Sequence, residues 1–224
     1  MKVLVVAAHP DDEALGCGGT IARHVSMGDE VALACITDGV GARGIVEGAW
    51  AKRQRAMTFS CGALGIKQVH HLGALANLDN RMDGVPLLEH VQKLEPIIAK
   101  VAPAVIYTHH GGDLNIDHRI THQAVMTACR PMPGSSVKAI YAFEVPSSTE
   151  WASETEQAFR PNHFVDITAT LDKKIKALEA YAEEMRPFPH PRSVEAVKAL
   201  AAWRGASVGL MAAEALMTLR RIEA

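Results

Sequence analysis

The chain of 224 residues is long enough to bury a sizeable core, and its 48% hydrophobic and 21% charged residues are typical of a globular protein, which excludes a disordered chain. The formal net charge of −2 gives no electrostatic reason to expect nucleic acid or an anionic membrane surface as a partner. No stretch approaches the roughly 20 apolar residues of a membrane span, so we expect none.

The first eight residues, MKVLVVAA, look superficially like a signal peptide. Their apolar run is too short for one and no cleavage pattern follows it, so we interpret it as a buried strand. The cysteines are scattered without a CxxC pair, which is typical of small core residues in a reduced, cytoplasmic protein. They are Cys17, Cys35, Cys61 and Cys129.

Short apolar runs alternate with amphipathic stretches along the chain. The apolar runs are predicted strands at residues 3–8, 31–36, 68–72, 104–108, 138–143 and 163–167. The amphipathic stretches are predicted helices at residues 13–26, 48–62, 86–101, 116–129, 170–184 and 194–221. This alternation predicts an α/β fold, an open and mostly parallel sheet with helices on both faces. We expect one catalytic domain over residues 1–224, with a helical C-terminal segment of about residues 168–224 packed on it.

Residues 8–13, AHPDDE, directly follow the first predicted strand. In an open parallel sheet, ligands bind outside the carboxyl ends of the strands, which is where this segment would lie. Acidic residues are favourable at a helix N-terminus, and this explains one or two of the carboxylates. It does not explain His9, or Asp11 next to Asp12. Because a divalent cation would relieve the repulsion between the carboxylates, the sequence predicts a metal site.

A second cluster of histidines and carboxylates, YTHHGGDLNIDH, occupies residues 107–118. His118 and His122 are spaced like the histidines of an HExxH metalloprotease, but Arg119 stands where that motif requires glutamate. We therefore favour His118 as a third ligand, with Asp117 helping to orient the ligands. His109, His110 and His122 could each be structural or could contact the substrate. For His122 we favour the structural role.

These motifs resemble those of the PIG-L/LmbE-like family of N-deacetylases. The resemblance covers most of the chain and is most specific at residues 9–19, HPDDEALGCGG. Weaker support comes from residues 37–39, 115–118 and 166–168. The resemblance implies a Rossmann-like fold and hydrolysis of an N-acyl group, often from N-acetylglucosamine attached to another moiety. It also implies one zinc ion bound by His9, Asp12 and His118, with Asp11 as the general base.

The chain departs from the family pattern at one position. Many members carry a histidine three residues before the metal-binding histidine, where this chain has Asn115. Asn115 could donate a hydrogen bond to the oxyanion, but its amide cannot protonate the departing amine. We expect that Asp11 returns its proton to the amine, or that another histidine supplies one. The leading candidate is His190 in the segment PFPHPRS, although a surface connector explains that segment equally well.

Four residues are candidates for contacts with the substrate. Arg192, close to His190, could bind an anionic group. Asp38 follows the second predicted strand and could line the pocket or serve a turn. Arg43 belongs to a Gly-rich loop that could close over the substrate. Arg81 could contact sugar hydroxyls or phosphate, with a salt bridge inside its loop as the alternative.

The sequence therefore predicts a zinc-dependent hydrolase that removes an N-acetyl group from a small molecule containing an amino sugar. Other divalent metals would also fit this ligand set. Two alternatives stay open: a zinc amidase for another N-acyl or thiol-conjugate substrate, and a non-catalytic Rossmann-like binding protein with a degenerate metal site. The apolar stretch at residues 199–219, predicted to be helical, could form a homo-oligomer interface or belong to the core.

Overall fold

The computed structural model describes residues 1–42, 44, 46–72, 78–153 and 157–223. Its strands are β1 (Lys2–Ala7), β2 (Glu30–Cys35), β3 (Gln68–His71), β4 (Val105–His109), β5 (Ala139–Phe143), β6 (His163–Asp166) and β7 (Ala213–Arg221). Its α-helices are α1 (Asp12–Ser26), α2 (Ala49–Leu64), α3 (Leu87–Val101), α4 (Ile116–Ala128), α5 (Leu171–Ala180) and α6 (Val194–Ala206). Within these described ranges, no helix combines the length and the apolar character that crossing a membrane requires.

The described strands form one seven-stranded sheet in the order β3-β2-β1-β4-β5-β7-β6. β1 pairs in parallel with β2 and β4, and the β2–β3 and β4–β5 pairs are parallel as well. β7 lies between β5 and β6 and is antiparallel to both. The strand order changes direction between β1 and β4, so the carboxyl ends of these two strands form the switch point at which such sheets bind ligands.

Alternate residues of β1 belong to different sides of the core, because successive side chains of a strand point to opposite faces. Val3 and Val5 belong to the cluster formed with α1, α2 and α5, whereas Leu4 and Val6 belong to the cluster formed with α3 and α4. The sheet is therefore covered by helices on both faces. This confirms the predicted α/β, Rossmann-like class with a mostly parallel sheet.

The C-terminal region corrects the prediction of a long final helix. α6 ends at Ala206, and Ala213–Arg221 forms β7 inside the sheet. A Cβ atom at Gly205 would lie 2.7 Å from the carbonyl oxygen of Leu210, so the chain folds back tightly against the helix end. Gly209, with a φ of 78°, allows that turn. The apolar residues of 199–219 are therefore divided between a helix and a strand, and they do not form one helical face.

Candidate metal centre and active site

The candidate site lies at the carboxyl ends of β1 and β4. β1 runs into α1 through the segment that carries His9 and Asp11, while Asp12 is the first residue of α1. β4 ends at His109, and the loop that follows leads into α4, whose first turn carries Asp117 and His118. The strand order thus brings together the two sequence clusters, which are about 100 residues apart.

Three buried side chains form a compact group of potential ligands: His9, Asp12 and His118. One donor atom from each lies within 4.8 Å of the others. His9 Nδ1 is 3.2 Å from Asp12 Oδ2, and His118 Nε2 is 3.3 Å from Asp12 Oδ1. Atoms bound tetrahedrally to zinc at about 2.0–2.2 Å lie roughly 3.3–3.6 Å from one another, so each histidine is at about the spacing of a ligand pair from one of the two Asp12 oxygens.

Three atoms of this group are buried and have no hydrogen-bond partner within the described part of the chain. They are Oδ1 of Asp12 and both ring nitrogens of His118, of which Nε2 lies 3.3 Å from that Oδ1. An unsatisfied buried polar group typically costs about 1–3 kcal/mol, so two such atoms facing each other require a reason. A divalent ion would satisfy both, and the residues present fit such an ion.

The charges of the group also favour a cation. Burial lowers the pKa of His118, but Asp12 and Asp113 raise it by more, so the pKa reaches about 9. Burial likewise lowers the pKa of His9, and hydrogen bonds to Asp117 and Asp12 raise it well above its ordinary value. The carboxylates thus stabilise positive charge on or between the two imidazoles. Because histidine binds metal through a deprotonated nitrogen, a metal ion and protons compete for this position.

Asp117 contacts the imidazole of His9. Its Oδ2 lies 3.0 Å from Nε2 of His9, and its carboxylate accepts the backbone N–H groups of Asn80 at 2.7 Å and Met82 at 2.9 Å. An imidazole whose Nε2–H donates to this carboxylate keeps Nδ1 as the free ligand atom. The orienting role that the sequence suggested for Asp117 is therefore compatible with its contacts.

Asp113 lies next to His118 in the same way as Asp117 lies next to His9. Its Oδ1 lies 3.1 Å from Nδ1 of His118. The carboxylate is itself fixed, because it accepts hydrogen bonds from the hydroxyl groups of Ser148 and Thr149, the latter at 2.6 Å. No role was assigned to Asp113 from the sequence, although its place in the histidine-rich run before α4 was a usable signal.

Asp11 has an unusual backbone conformation, with a φ of 127° that residues other than glycine rarely adopt. Its N–H donates to Oε2 of Glu13 at 3.0 Å. Glu13 is fully buried, and its Oε1 accepts the hydroxyl groups of Ser60 and Tyr181, each at 2.8 Å. Glu13 therefore holds the Asp11 backbone in this strained state, a role that the sequence analysis did not assign.

The side chain of Asp11 contacts Arg192. Arg192 Nη1 donates to Asp11 Oδ2 at 3.1 Å, and its Nε donates to the hydroxyl of Ser147 at 2.8 Å. Burial raises the pKa of Asp11 to about 7, and the charge of Arg192 opposes that rise. The structure thus places Arg192 against the candidate base, whereas the sequence had suggested an anionic group of the substrate as its partner.

A cleft of about 860 Å³ lies over this group, and His9, Asp11, Asn115, His190 and Arg192 are among the residues that line it. The Asn115 side chain accepts the N–H of Asp117 at 2.8 Å and so caps α4. Nδ1 of His190 accepts the backbone N–H of Arg192 at 3.1 Å. The segment PFPHPRS therefore contributes to the cleft wall.

Of the other predicted substrate contacts, Asp38 and Arg81 lie outside the described lining of the cleft. Asp38 is buried, and its Oδ1 accepts the N–H of Val40 at 3.3 Å, which matches the turn role given as its alternative. Arg81 is exposed and lies outside the lining. Arg43 falls outside the described residues.

Three histidines near the site contact protein groups. His109 is fully buried, its Nε2 accepts the N–H of Ala8 at 2.9 Å, and its ring stacks on His118 with centroids 4.0 Å apart. His122 Nδ1 donates to the His109 carbonyl at 2.9 Å, and His110 Nε2 donates to the Gln157 carbonyl at 2.7 Å. These contacts favour structural roles, as expected for His122.

The family model for PIG-L, described as GlcNAc-PI de-N-acetylase, matches residues 4–129, which include His9, Asp11, Asp12 and His118. The chain belongs to the PIG-L family. Within the family, the chain is similar to the uncharacterized deacetylase YaiS of Escherichia coli (strain K12), with 32% identity over 180 residues that cover 76% of this chain and 89% of that protein.

A second relative of this PIG-L protein is the probable N-acetyl-alpha-D-glucosaminyl L-malate deacetylase 2 of Bacillus cereus (strain ATCC 14579). It is 30% identical over 192 residues, which cover 81% of this chain and 83% of the relative. Among solved structures, the N,N'-diacetylchitobiose deacetylase from Pyrococcus horikoshii has a TM-score of 0.78 at 23% identity and covers 98% of this chain and 84% of its own. That likeness shows the same fold.

Proposed function

We propose that this PIG-L family protein is a metal-dependent amidohydrolase that removes an N-acetyl group from a molecule containing an amino sugar. The observation that carries the proposal is the position of the Asp11 carboxylate beside the group formed by His9, Asp12 and His118, at the base of a cleft. A binding protein would need neither a strained carboxylate nor paired orienting carboxylates at such a place. The relatives named above, two of which act on N-acetylated amino sugars according to their names, support this choice of substrate.

We propose zinc as the ion, since two imidazoles and one carboxylate are a frequent ligand set of catalytic zinc. When bound, zinc supplies two things: a lower pKa for a coordinated water molecule and a positive charge next to the amide carbonyl oxygen. His9 and His118 would bind it through Nδ1 and Nε2, the atoms that face Asp12. Asp117 and Asp113 keep the two rings in that orientation.

Asp11 acts as the general base in this proposal. Its Oδ2 is bound to Arg192, so Oδ1 accepts the proton of the attacking water. Burial favours the protonated form that results, because it disfavours the charged carboxylate. The proton held on Asp11 is then available for the nitrogen of the leaving amine.

His190 is suited to donate a hydrogen bond to the substrate. Its Nδ1 accepts the N–H of Arg192, so Nε2 is the ring nitrogen with a hydrogen to donate. We therefore propose that Asp11 protonates the amine, while His190 and the Nδ2 of Asn115 donate hydrogen bonds to substrate oxygens.

The test is release of acetate and free amine from a panel of N-acetylated amino sugars that includes free, nucleotide-linked and glycosidic forms. The purified protein is assayed after chelation and after addition of one equivalent of zinc. Zinc-dependent release from at least one of them supports the proposal. No release from any of them by protein that holds one zinc ion would contradict it and favour an amidase for a different acyl group.

A further inference from the structure

The residues that line the cleft are polar near the candidate metal centre, and several of those farther along it are apolar. His9, Asp11 and Asn115 make its base polar. Three large apolar side chains line the same cleft and remain largely exposed: Val46 at 69%, Leu114 at 50% and Trp151 at 52%. They belong to the segments that follow β2, β4 and β5, whose carboxyl ends lie at the same edge of the sheet. Single exposed apolar residues are common, but three along one cleft indicate a binding surface.

Hydrogen bonds connect the backbone around Leu114 and Trp151 to the candidate site. Leu114 follows Asp113, and its carbonyl and that of Asp113 both accept Nη1 of Arg119, at 3.3 and 3.0 Å. Trp151 closes the short 3₁₀ helix Thr149–Trp151, whose first residue donates to the Asp113 carboxylate. The same carboxylate orients His118. The backbone that carries Leu114 and Trp151 is therefore hydrogen-bonded to the residues around the candidate metal centre. These contacts fix the position of the two apolar side chains relative to that centre.

Trp151 also contacts a polar lining residue. Its ring packs against the edge of the His190 ring, with centroids 5.7 Å apart and planes at 81°. Tryptophan combines a large apolar area with few rotatable bonds, so a ligand gains contact area there at a low cost in conformational entropy. A group of the ligand that extends past His190 would meet this ring.

The charged residues of the cleft do not favour an anionic partner for these apolar side chains. Three arginines line the described part of the cleft, and each already has a partner. Arg53 pairs with Glu184, Arg192 with Asp11, and Arg186 donates to backbone carbonyl groups. An anionic group on the substrate would have to compete with these contacts, whereas an apolar group would only displace water.

We propose that the substrate carries an uncharged apolar group, aryl or alkyl, on its amino sugar, and that this group packs against Trp151 and Leu114 while the acetamido group reaches Asp11. The inference rests on the proposed function and adds the class of the second moiety. A cleft of about 860 Å³ is near the upper end of the roughly 300–1,000 Å³ typical of small-molecule sites, so a monosaccharide fills only part of it.

The test compares the phenyl and methyl glycosides of N-acetylglucosamine, in both anomeric forms, with zinc-loaded protein. We expect a KM about tenfold lower for one phenyl glycoside than for the matching methyl glycoside, because burying an aryl group typically contributes that much. Trp151→Ala and Leu114→Ala should each raise the KM of the phenyl glycoside more than that of the methyl glycoside, and so remove most of this advantage. Trp203→Ala is the matched control, since Trp203 is 70% exposed and lies outside the cleft.

Binding is measured separately by calorimetry with phenyl β-D-glucopyranoside, which has no amide to cleave. Binding that Trp151→Ala weakens about tenfold supports the apolar subsite even if neither glycoside is deacetylated, in which case only the proposed function fails. Equal KM values for the two glycosides overturn the proposal and leave the deacetylase function intact. A phenyl advantage that both cleft variants retain overturns it as well.

Discussion

Arg192 donates a hydrogen bond to Asp11 over 3.1 Å, although the two residues are 181 positions apart in the chain. The contact joins the loop before α6 to the segment before α1. It fixes one oxygen of the carboxylate and counteracts the effect of burial on the pKa of Asp11. We therefore expect Arg192 to position the proposed base, Asp11. The sequence had suggested instead that Arg192 binds an anionic group.

The two roles of Arg192 predict different kinetics. If Arg192 positions Asp11, Arg192→Ala should lower kcat by about 10²-fold with little change in KM, because small displacements of a catalytic group have effects of that size. Arg192→Lys, which keeps a positive charge, should recover part of the loss. A variant with unchanged kcat and a raised KM would instead show that Arg192 binds the substrate.

Removing Glu13 should destabilise the protein. In Glu13→Ala, the Asp11 N–H and the hydroxyl groups of Ser60 and Tyr181 lose their common buried acceptor, which we expect to lower the free energy of unfolding by about 3 kcal/mol. Glu13→Gln keeps the size and one acceptor oxygen and should lose less. Urea unfolding measures both. A change below about 0.5 kcal/mol in Glu13→Ala would mean that the network does not stabilise this fold.

The carboxylate behind His118 should affect metal affinity. Asp113→Asn keeps the shape of the side chain but removes its negative charge, so we expect zinc affinity to fall about 10–100-fold, the usual effect of losing an orienting carboxylate. Competition with a chelator of known affinity measures the change. Asp172→Asn, at an exposed position in α5, is the control and should bind zinc like the unmodified protein. Equal affinity in both variants would contradict an orienting role for Asp113.

Zinc should stabilise the fold if its ligands are assembled in the native state. At a free concentration one hundred times Kd, the expected gain is about 2.7 kcal/mol, and chelation should reverse it. Differential scanning calorimetry would show it as a rise in Tm. His118→Ala should abolish the rise. An equal rise in that variant would place the bound zinc elsewhere.

Much of the architecture could be predicted from the sequence, and so could the proposed ligand group. The alternation of apolar and amphipathic segments is local information, and it predicted the order of the strands and helices through α5. The resemblance to the PIG-L/LmbE-like family implied that His9, Asp12 and His118 belong together, and the two motifs that carry them each follow a strand of the parallel sheet. The structure places them at the switch point between β1 and β4, within reach of one ion.

The errors and omissions have a physical cause. Residues 213–221 are rich in Ala, Glu, Leu and Met, which favour helices, yet pairing with β5 and β6 places them in a strand, so tertiary context overrides propensity. The contacts of Glu13 with Tyr181 and of Arg192 with Asp11 join residues more than 160 positions apart. No local pattern in a single sequence reports such pairs.

A single experiment tests metal-dependent deacetylation with Asp11 as the general base. It measures acetate release as a function of bound zinc in the unmodified protein and in Asp11→Asn. The substrate is the most reactive N-acetylated amino sugar. Release by the unmodified protein should rise in proportion to zinc up to one equivalent. Asp11→Asn should bind one equivalent as well, yet release acetate about 10²–10⁴-fold more slowly, as expected for loss of a general base. Full activity in Asp11→Asn, or release that does not depend on zinc, would contradict the proposed roles of Asp11 and of the metal centre.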